Sequence, residues 1–479
     1  MKNFFIIAFF ALSTACSTKN SENSSDASRP TSETRFQGSP MTEIKQQSDI
    51  ILKTLDNGLE VYMFPKKDIP MITVLLAVKN GAYVQTPDID GLAHLYEHMF
   101  FKANEKIPSQ AEFMKALDEM GVELGPNMNA YTSTESVRYF FTIQTKYLEP
   151  GLGFMADATI SPKFLADELE KERQVVIGEF DRYEASPVQV FYQKDILERL
   201  FSTYFSRKNT IGSREVITAA SQEQMKQIQN RFYIPNNSAL FLVGDFDPES
   251  TFKLVEKYWG PWKKSADPFE ENPIPEHPPL EETKVFIKRA PVQTLSIVKA
   301  YQGPRLNLEN REVIALDLMS LMLGMESSEF QKELVHSGLA TSAYFYVWSQ
   351  RYTSPLFFSL DTSPEKAQAG YDKFKALLQK ISAGGFFTEE QLELAKTSIE
   401  VRTAFDREVG QKYALALASV WTSTGKLDFY TNYISEMKSI SLKDIDAAIR
   451  RYIENQNYVL GALVPESGDF IKFDSTDQK

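Results

Sequence analysis

His94, Glu97 and His98 stand in the order His-x-x-Glu-His and include two of the four histidines in a chain of 479 residues. In a helix, residues four apart lie on one face, one turn apart. Two imidazoles placed in this way can share one Zn²⁺. Glu97, three residues after His94, falls on nearly the same face and can reach a metal-held water as a base. A catalytic zinc needs three protein ligands and an open position, so a third ligand must come from elsewhere. The alternative is a helix whose histidines are ordinary surface or core residues.

The elements that would position these groups can be read around them. Asp56-Asn57-Gly58 is a hairpin-type turn, followed by a strand over Leu59–Met63 and a continuous β-prone run, Ile72–Val78. A loop over Pro87–Gly91 follows, with Asp90 expected to N-cap a helix from Leu92 to about Lys102 that carries all three residues. Ser109 to Met120 reads as a helix. Asn129–Ser133 and Val137–Ile143 read as two antiparallel strands, or an edge strand and its neighbour. Phe164–Tyr183 is strongly helical, with Glu172 and Glu179 seven residues apart on nearly one face. Either could supply the third ligand; the alternative for each is a solvated glutamate.

The length favours two to four domains, and 43% hydrophobic with 24% charged residues is the balance of a globular protein. A formal charge of -12 argues against a nucleic-acid binder. Residues 1–16 read as a signal segment: Lys2, the apolar run Phe4–Leu12, then small residues before Cys16, the only cysteine. That run is too short to span a bilayer as a helix. The small residues before Cys16 resemble a bacterial lipobox, with Leu12 displaced by one position. Cys16 would then be the acylated first residue of a protein anchored by lipid in the cell envelope, in the periplasm and at the outer membrane in preference to the inner. An ordinary secretory signal with an incidental cysteine is the alternative. Residues 17–47 are rich in Ser, Thr, Asn and charge and read as a disordered tether.

Three segments in order carry a resemblance: Gly91–Lys102, Asn129–Ser133 and Glu172–Glu179. With them the chain resembles the inverzincin zinc peptidases of the pitrilysin, insulin-degrading-enzyme and mitochondrial-processing-peptidase family, most closely the half-size bacterial members. The resemblance covers about residue 48 to the end. It implies an α+β fold of two homologous domains, each a mostly antiparallel sheet packed with helices. The zinc-binding domain would be residues 48–260, a proline-rich linker 261–283, and a repeat without metal ligands 284–479. It implies Zn²⁺ on His94, His98 and Glu179, Glu97 as the base, and Glu172 as the carboxylate behind the ligands. It also implies Asn129, Ala130 and Tyr131 as an edge strand that binds the peptide backbone by strand addition.

The second half repeats the plan of the first, with strands over Lys284–Ile287 and Thr294–Ala300. A helix follows from about Asn310, its possible N-cap, to Gly324, in the place of the metal helix but without histidine. His277, in the linker, reads as a surface residue. The family usually carries an Arg and a Tyr seven residues apart around Gly-Leu-Ala, to hold the substrate carbonyl. Here Gly338-Leu339-Ala340 is present, but Leu334 and Thr341 fill those places. Leucine cannot donate a hydrogen bond and threonine is too short. The favoured reading is a heteromeric partner of the same fold that supplies the pair. The alternative is substitution by His336, Tyr344, Tyr346 or Arg351. The chain is thus expected to be the zinc-binding subunit of a metalloendopeptidase acting on peptides or unfolded segments, with a non-catalytic scaffold of the same fold as the competing expectation.

Overall fold

A computed structural model describes residues 50–306 and 308–478 of the chain. Cys16, the signal segment and the tether over 17–47 lie outside the described residues. Among the described residues no helix is long and apolar enough to cross a membrane.

The Asp56-Asn57-Gly58 turn joins β1 (Ile51–Thr54) to β2 (Glu60–Pro65). With β3 (Met71–Val78), β4 (Met128–Thr132), β5 (Val137–Gln144) and β6 (Ser238–Gly244) they form a six-stranded sheet in the order β1-β2-β6-β3-β5-β4. Every neighbouring pair is antiparallel except β2–β6. The second half contributes β7 (Lys284–Ala290), β8 (Leu295–Gln302), β9 (Ser342–Val347), β10 (Pro355–Thr362) and β11 (Val459–Pro465). Their order is β7-β11-β8-β10-β9, and only β7–β11 is parallel. This is the order and sense of the first sheet without its β1 hairpin arm. The protein is therefore an α+β fold of two domains with repeated topology.

Strand periodicity explains how the sheets are covered. Side chains alternate between faces along a strand. On β3, Ile72, Val74, Leu76 and Val78 join the core shared with the metal-site helices, whereas Leu75 and Ala77 join the core of the other half. The two halves exchange helices to fill these second faces. The helix α4 (Gly410–Thr424) belongs to the second half but packs across β3, β6 and β5 of the first sheet. There Tyr413 meets Phe64 edge-on at 4.7 Å, and Trp421 Nε1 donates to Glu60 Oε2 at 2.6 Å. In return, the helical stretch 187–200, π-helical over Phe191–Leu197, covers the second sheet. Its Phe191, Ile196, Leu197 and Leu200 pack on Val298, Ala300, Val459 and Leu463.

The helix carrying the histidines is α1 (Leu92–Met99), and the one carrying the two glutamates is α2 (Ala166–Glu184). In the second half, α3 (Asn310–Gly324) takes the place of α1 beside the edge strand β9. Three local expectations are corrected. Asp90 does not cap α1: the N-cap is Gly91, in the left-handed region at φ 95. Its close approach to Gly212 leaves no room for a Cβ, and the Asp90 carboxylate is buried against Gln85 and Asn209 instead. Asn310 is the first helical residue of α3, after an N-cap at Glu309. His277 is not a simple surface residue, because its ring sits against Phe201 at 5.0 Å and Tyr204 at 5.7 Å.

Candidate metal centre

The buried side of α1 is held by aromatic stacking. Tyr96 stacks on Tyr233 at 3.9 Å, and Phe100, just past the helix, stacks on Tyr139 at 3.9 Å. Leu92, Ala93, Leu95 and Met99 are buried with them, which leaves His94, Glu97 and His98 on the more open side. The helix ends at Met99 rather than Lys102, and the chain then turns so that Lys102 reaches α2. Glu168 of α2 fastens that turn by accepting from Ala103 N at 3.0 Å and Gln110 N at 3.1 Å.

Three ligand-type atoms converge. His94 Nε2 and His98 Nε2 lie 3.3 Å apart, and Glu179 Oε2 lies 3.4 Å from the first and 3.8 Å from the second. Among the described residues, this is the only group of three or more His, Cys, Asp or Glu side chains with ligand atoms so close together. Arg182 donates to the other oxygen of Glu179. His98 Nδ1 donates to Glu172 Oε1 at 3.1 Å, which fixes its tautomer and leaves the Nε2 lone pair facing the meeting point. Lys102 Nζ holds Glu172 Oε2 at 2.5 Å. Glu172 and Glu179 are thus separated by geometry: one meets the back of His98, the other meets both Nε2 atoms.

Electrostatics follows from this placement. Burial, with His98 alongside, pulls His94 down to about 3 and so keeps it neutral. Burial would lower His98 too, but the hydrogen bond to Glu172 and the charges of Glu97 and Glu179 outweigh it and raise the pKa. Burial would raise Glu172, but the bonds to His98 and Lys102 carry it below the usual range. Glu97 is raised, chiefly by burial, against a hydrogen bond from Thr132 Oγ1 to its Oε2 at 2.5 Å. The donor set fits zinc. Ligands about 2.0–2.1 Å from a tetrahedral Zn²⁺ stand roughly 3.3–3.4 Å from one another, close to the spacing of these three atoms.

β4 is the free edge of its sheet and brings Thr132 to Glu97. Ala130 N is turned to Asn129 Oδ1 at 2.9 Å, and Tyr131 stacks on Phe140 of β5 at 5.5 Å. Of the four alternatives to the Arg/Tyr pair, three have polar or ring partners in place. His336 Nε2 pairs with Glu326 at 2.6 Å, and Tyr344 meets Tyr192 at 2.9 Å. The Tyr346 hydroxyl is buried without a hydrogen-bond partner, and the Arg351 guanidinium lies over the Tyr352 ring at 5.8 Å. Leu334 is fully buried in the second core, and Thr341 Oγ1 donates to Asp361 O at 3.1 Å. Sequence reasoning missed Lys102 and the Thr132–Glu97 bond. The first had a signal, since Lys102 follows His98 by four residues; the second needed the β4 register.

Fold and site together define a two-domain α+β protein with a His-His-Glu centre on its first half. Residues 64–214 match the model of the insulinase family, peptidase family M16, and residues 219–399 match that of the peptidase M16 inactive domain. The chain belongs to peptidase family M16. It is 26% identical over 423 residues to the zinc protease PqqE of Helicobacter pylori, an alignment covering 86% of this chain and 92% of that one. Its fold matches the crystal structure of a protease from Helicobacter pylori with a TM-score of 0.78 at 24% identity, over 87% of this chain and 99% of the other. It also matches a peptidase M16 inactive domain from Pseudomonas fluorescens with a TM-score of 0.76 at 16% identity, over 88% and 100%.

Proposed function

We propose that this chain is the zinc-holding subunit of a metalloendopeptidase that cleaves peptides or unfolded segments. The observation that carries the reading is the convergence of His94 Nε2, His98 Nε2 and Glu179 Oε2 beside the Glu97 carboxylate. His94, His98 and Glu179 would hold the metal. Bound there, Zn²⁺ would polarise the scissile carbonyl and acidify a water. With the metal bound, Glu97 would act as the base, its carboxylate taking up a proton and returning it to the leaving amine. Thr132 orients Glu97 through Oε2. Glu172 holds His98 in the tautomer that faces the metal. The edge of β4 at Asn129, Ala130 and Tyr131 takes the substrate backbone as an added strand, with the Asn129 carboxamide moving off the Ala130 N–H.

One observation favours a second reading, a scaffold that keeps the fold without turnover: Leu334 and Thr341 supply no oxyanion donors. In our reading a partner of the same fold supplies them. Metal analysis separates the two. Freshly purified protein should hold zinc and His94→Ala should lose it, whereas a zinc-free wild type would sink the peptidase reading. Glu97→Gln should keep the metal and abolish turnover. Full activity of the chain by itself would overturn the need for a partner.

A further inference from the structure

Arg138 of β5 is a buried cation without an anion. It pairs directly with Tyr131 of β4 and is only 7% exposed. One guanidinium nitrogen donates to Ser419 Oγ on α4, and Nε has no hydrogen-bond partner. Among the described residues it forms no ion pair, and the neutral Tyr131 phenol is its neighbour across the strand pair. Burial lowers the guanidinium only to about 10, so it stays charged at neutral pH. A charge held in this way costs stability unless something pairs with it.

Its position says what that partner would be. Along β4, Thr132 faces α1 and Glu97, so Tyr131, the residue before it, faces the opposite side with Arg138 and α4. A peptide strand added to the β4 edge sends alternate side chains to that same side. Its Cα atoms would lie about 10 Å from that of Arg138, two strand spacings away. An arginine and a glutamate side chain together span such a gap. We propose that Arg138 is a specificity determinant: it receives the carboxylate of an Asp or Glu side chain in the substrate, within one or two residues of the bond held against Glu97. The inference rests on the peptidase reading and on β4 as the substrate strand.

Binding tests it apart from turnover. Full-length Glu97→Gln protein is titrated with end-capped fluorescent decapeptides that move a single Glu, or a matched Gln, along a neutral sequence. The capped ends remove terminal carboxylates as a source of signal. One or two registers should favour Glu by about 10-fold or more, the range of a charged hydrogen bond. Adding Arg138→Gln should erase the preference, Arg138→Lys should keep part of it, and Arg138→Glu should turn it toward Lys. Equal affinity for Glu and Gln peptides overturns the inference, as does binding of neither, or a preference that survives Arg138→Gln. Selective binding in a protein whose freshly purified wild type holds no zinc would overturn the peptidase reading and leave the Arg138 pocket standing.

Discussion

Glu172→Gln should weaken zinc binding and destabilise the fold, by two mechanisms that a second substitution separates. The Glu172 carboxylate joins His98 Nδ1 at 3.1 Å to Lys102 Nζ at 2.5 Å, with the Glu172 and Lys102 side chains 10% and 6% exposed. The amide still accepts from Nδ1–H, so the tautomer survives, but the charge that raises the basicity of His98 is lost. Losing such a partner behind a ligand typically costs about 10–100-fold in metal affinity, roughly 1.4–2.8 kcal/mol. The same change leaves Lys102 as a buried unpaired cation, which costs about 3–5 kcal/mol of stability. Glu172→Gln with Lys102→Met removes the stranded charge. Stability should then recover to within about 1–2 kcal/mol of wild type, while zinc affinity stays low. Chelator competition reads the affinity, and urea unfolding of the metal-free protein reads the stability. Wild-type affinity in Glu172→Gln would refute its role behind His98. A loss as deep as that of His94→Ala would make Glu172 a ligand and displace Glu179.

Two further substitutions test the surroundings of the site. Burial raises Asp90 to about 7, against a hydrogen bond from Asn209 that lowers it. The folded state therefore holds a proton that the unfolded chain releases near pH 4. The associated stability is fully present below about pH 4 and is lost as pH rises through about 7. Asp90→Asn should flatten that profile and unfold later than wild type at pH 8; parallel melting curves from pH 5 to 8 would count against it. Trp421→Ala removes a buried indole of the second half from the first sheet, at a cost of about 3–5 kcal/mol. Amide exchange should then rise in β3 and β6. A rise confined to the second half would show that α4 does not brace the first sheet.

The site was more legible than its support. The spacing of His94, Glu97 and His98 placed them on one helix face, and the seven-residue interval put Glu172 and Glu179 on another, because helical periodicity is local. Which glutamate meets the metal side depends on how α1 crosses α2, which spacing does not contain. β2 to β5, β7 and β8 were visible from β-prone runs, with ends displaced by up to about three residues, but β6 and β11, which join each sheet from the far end of its half, were not read. The exchange of α4 and residues 187–200 was not, since an apolar helix face does not say which sheet it covers. Asp90 failed as a cap for a similar reason. Its type suits a cap, but the approach of Gly91 to Gly212 required a left-handed residue at that position and turned the carboxylate inward.

The division of labour between the halves follows from the same packing. His94, Glu97, His98, Glu172 and Glu179, the β4 edge and Arg138 all lie within the first half. The second half repeats the sheet, but its α3 carries no histidine, and the Arg and Tyr places hold a core leucine and a threonine tied to Asp361. Rotamer changes cannot repair this, because Leu334 has no donor to turn. What the second half gives the site is α4: a helix laid across the first sheet, with Trp421 bonded to β2 and Ser419 bonded to Arg138. It crosses β3, β6 and β5 on the face that carries Arg138, one strand in from the β4 edge. A repeat without metal residues thus still braces the sheet of the other half, so separating the halves should raise amide exchange in β3, β5 and β6 before it disperses the three ligand groups of α1 and α2.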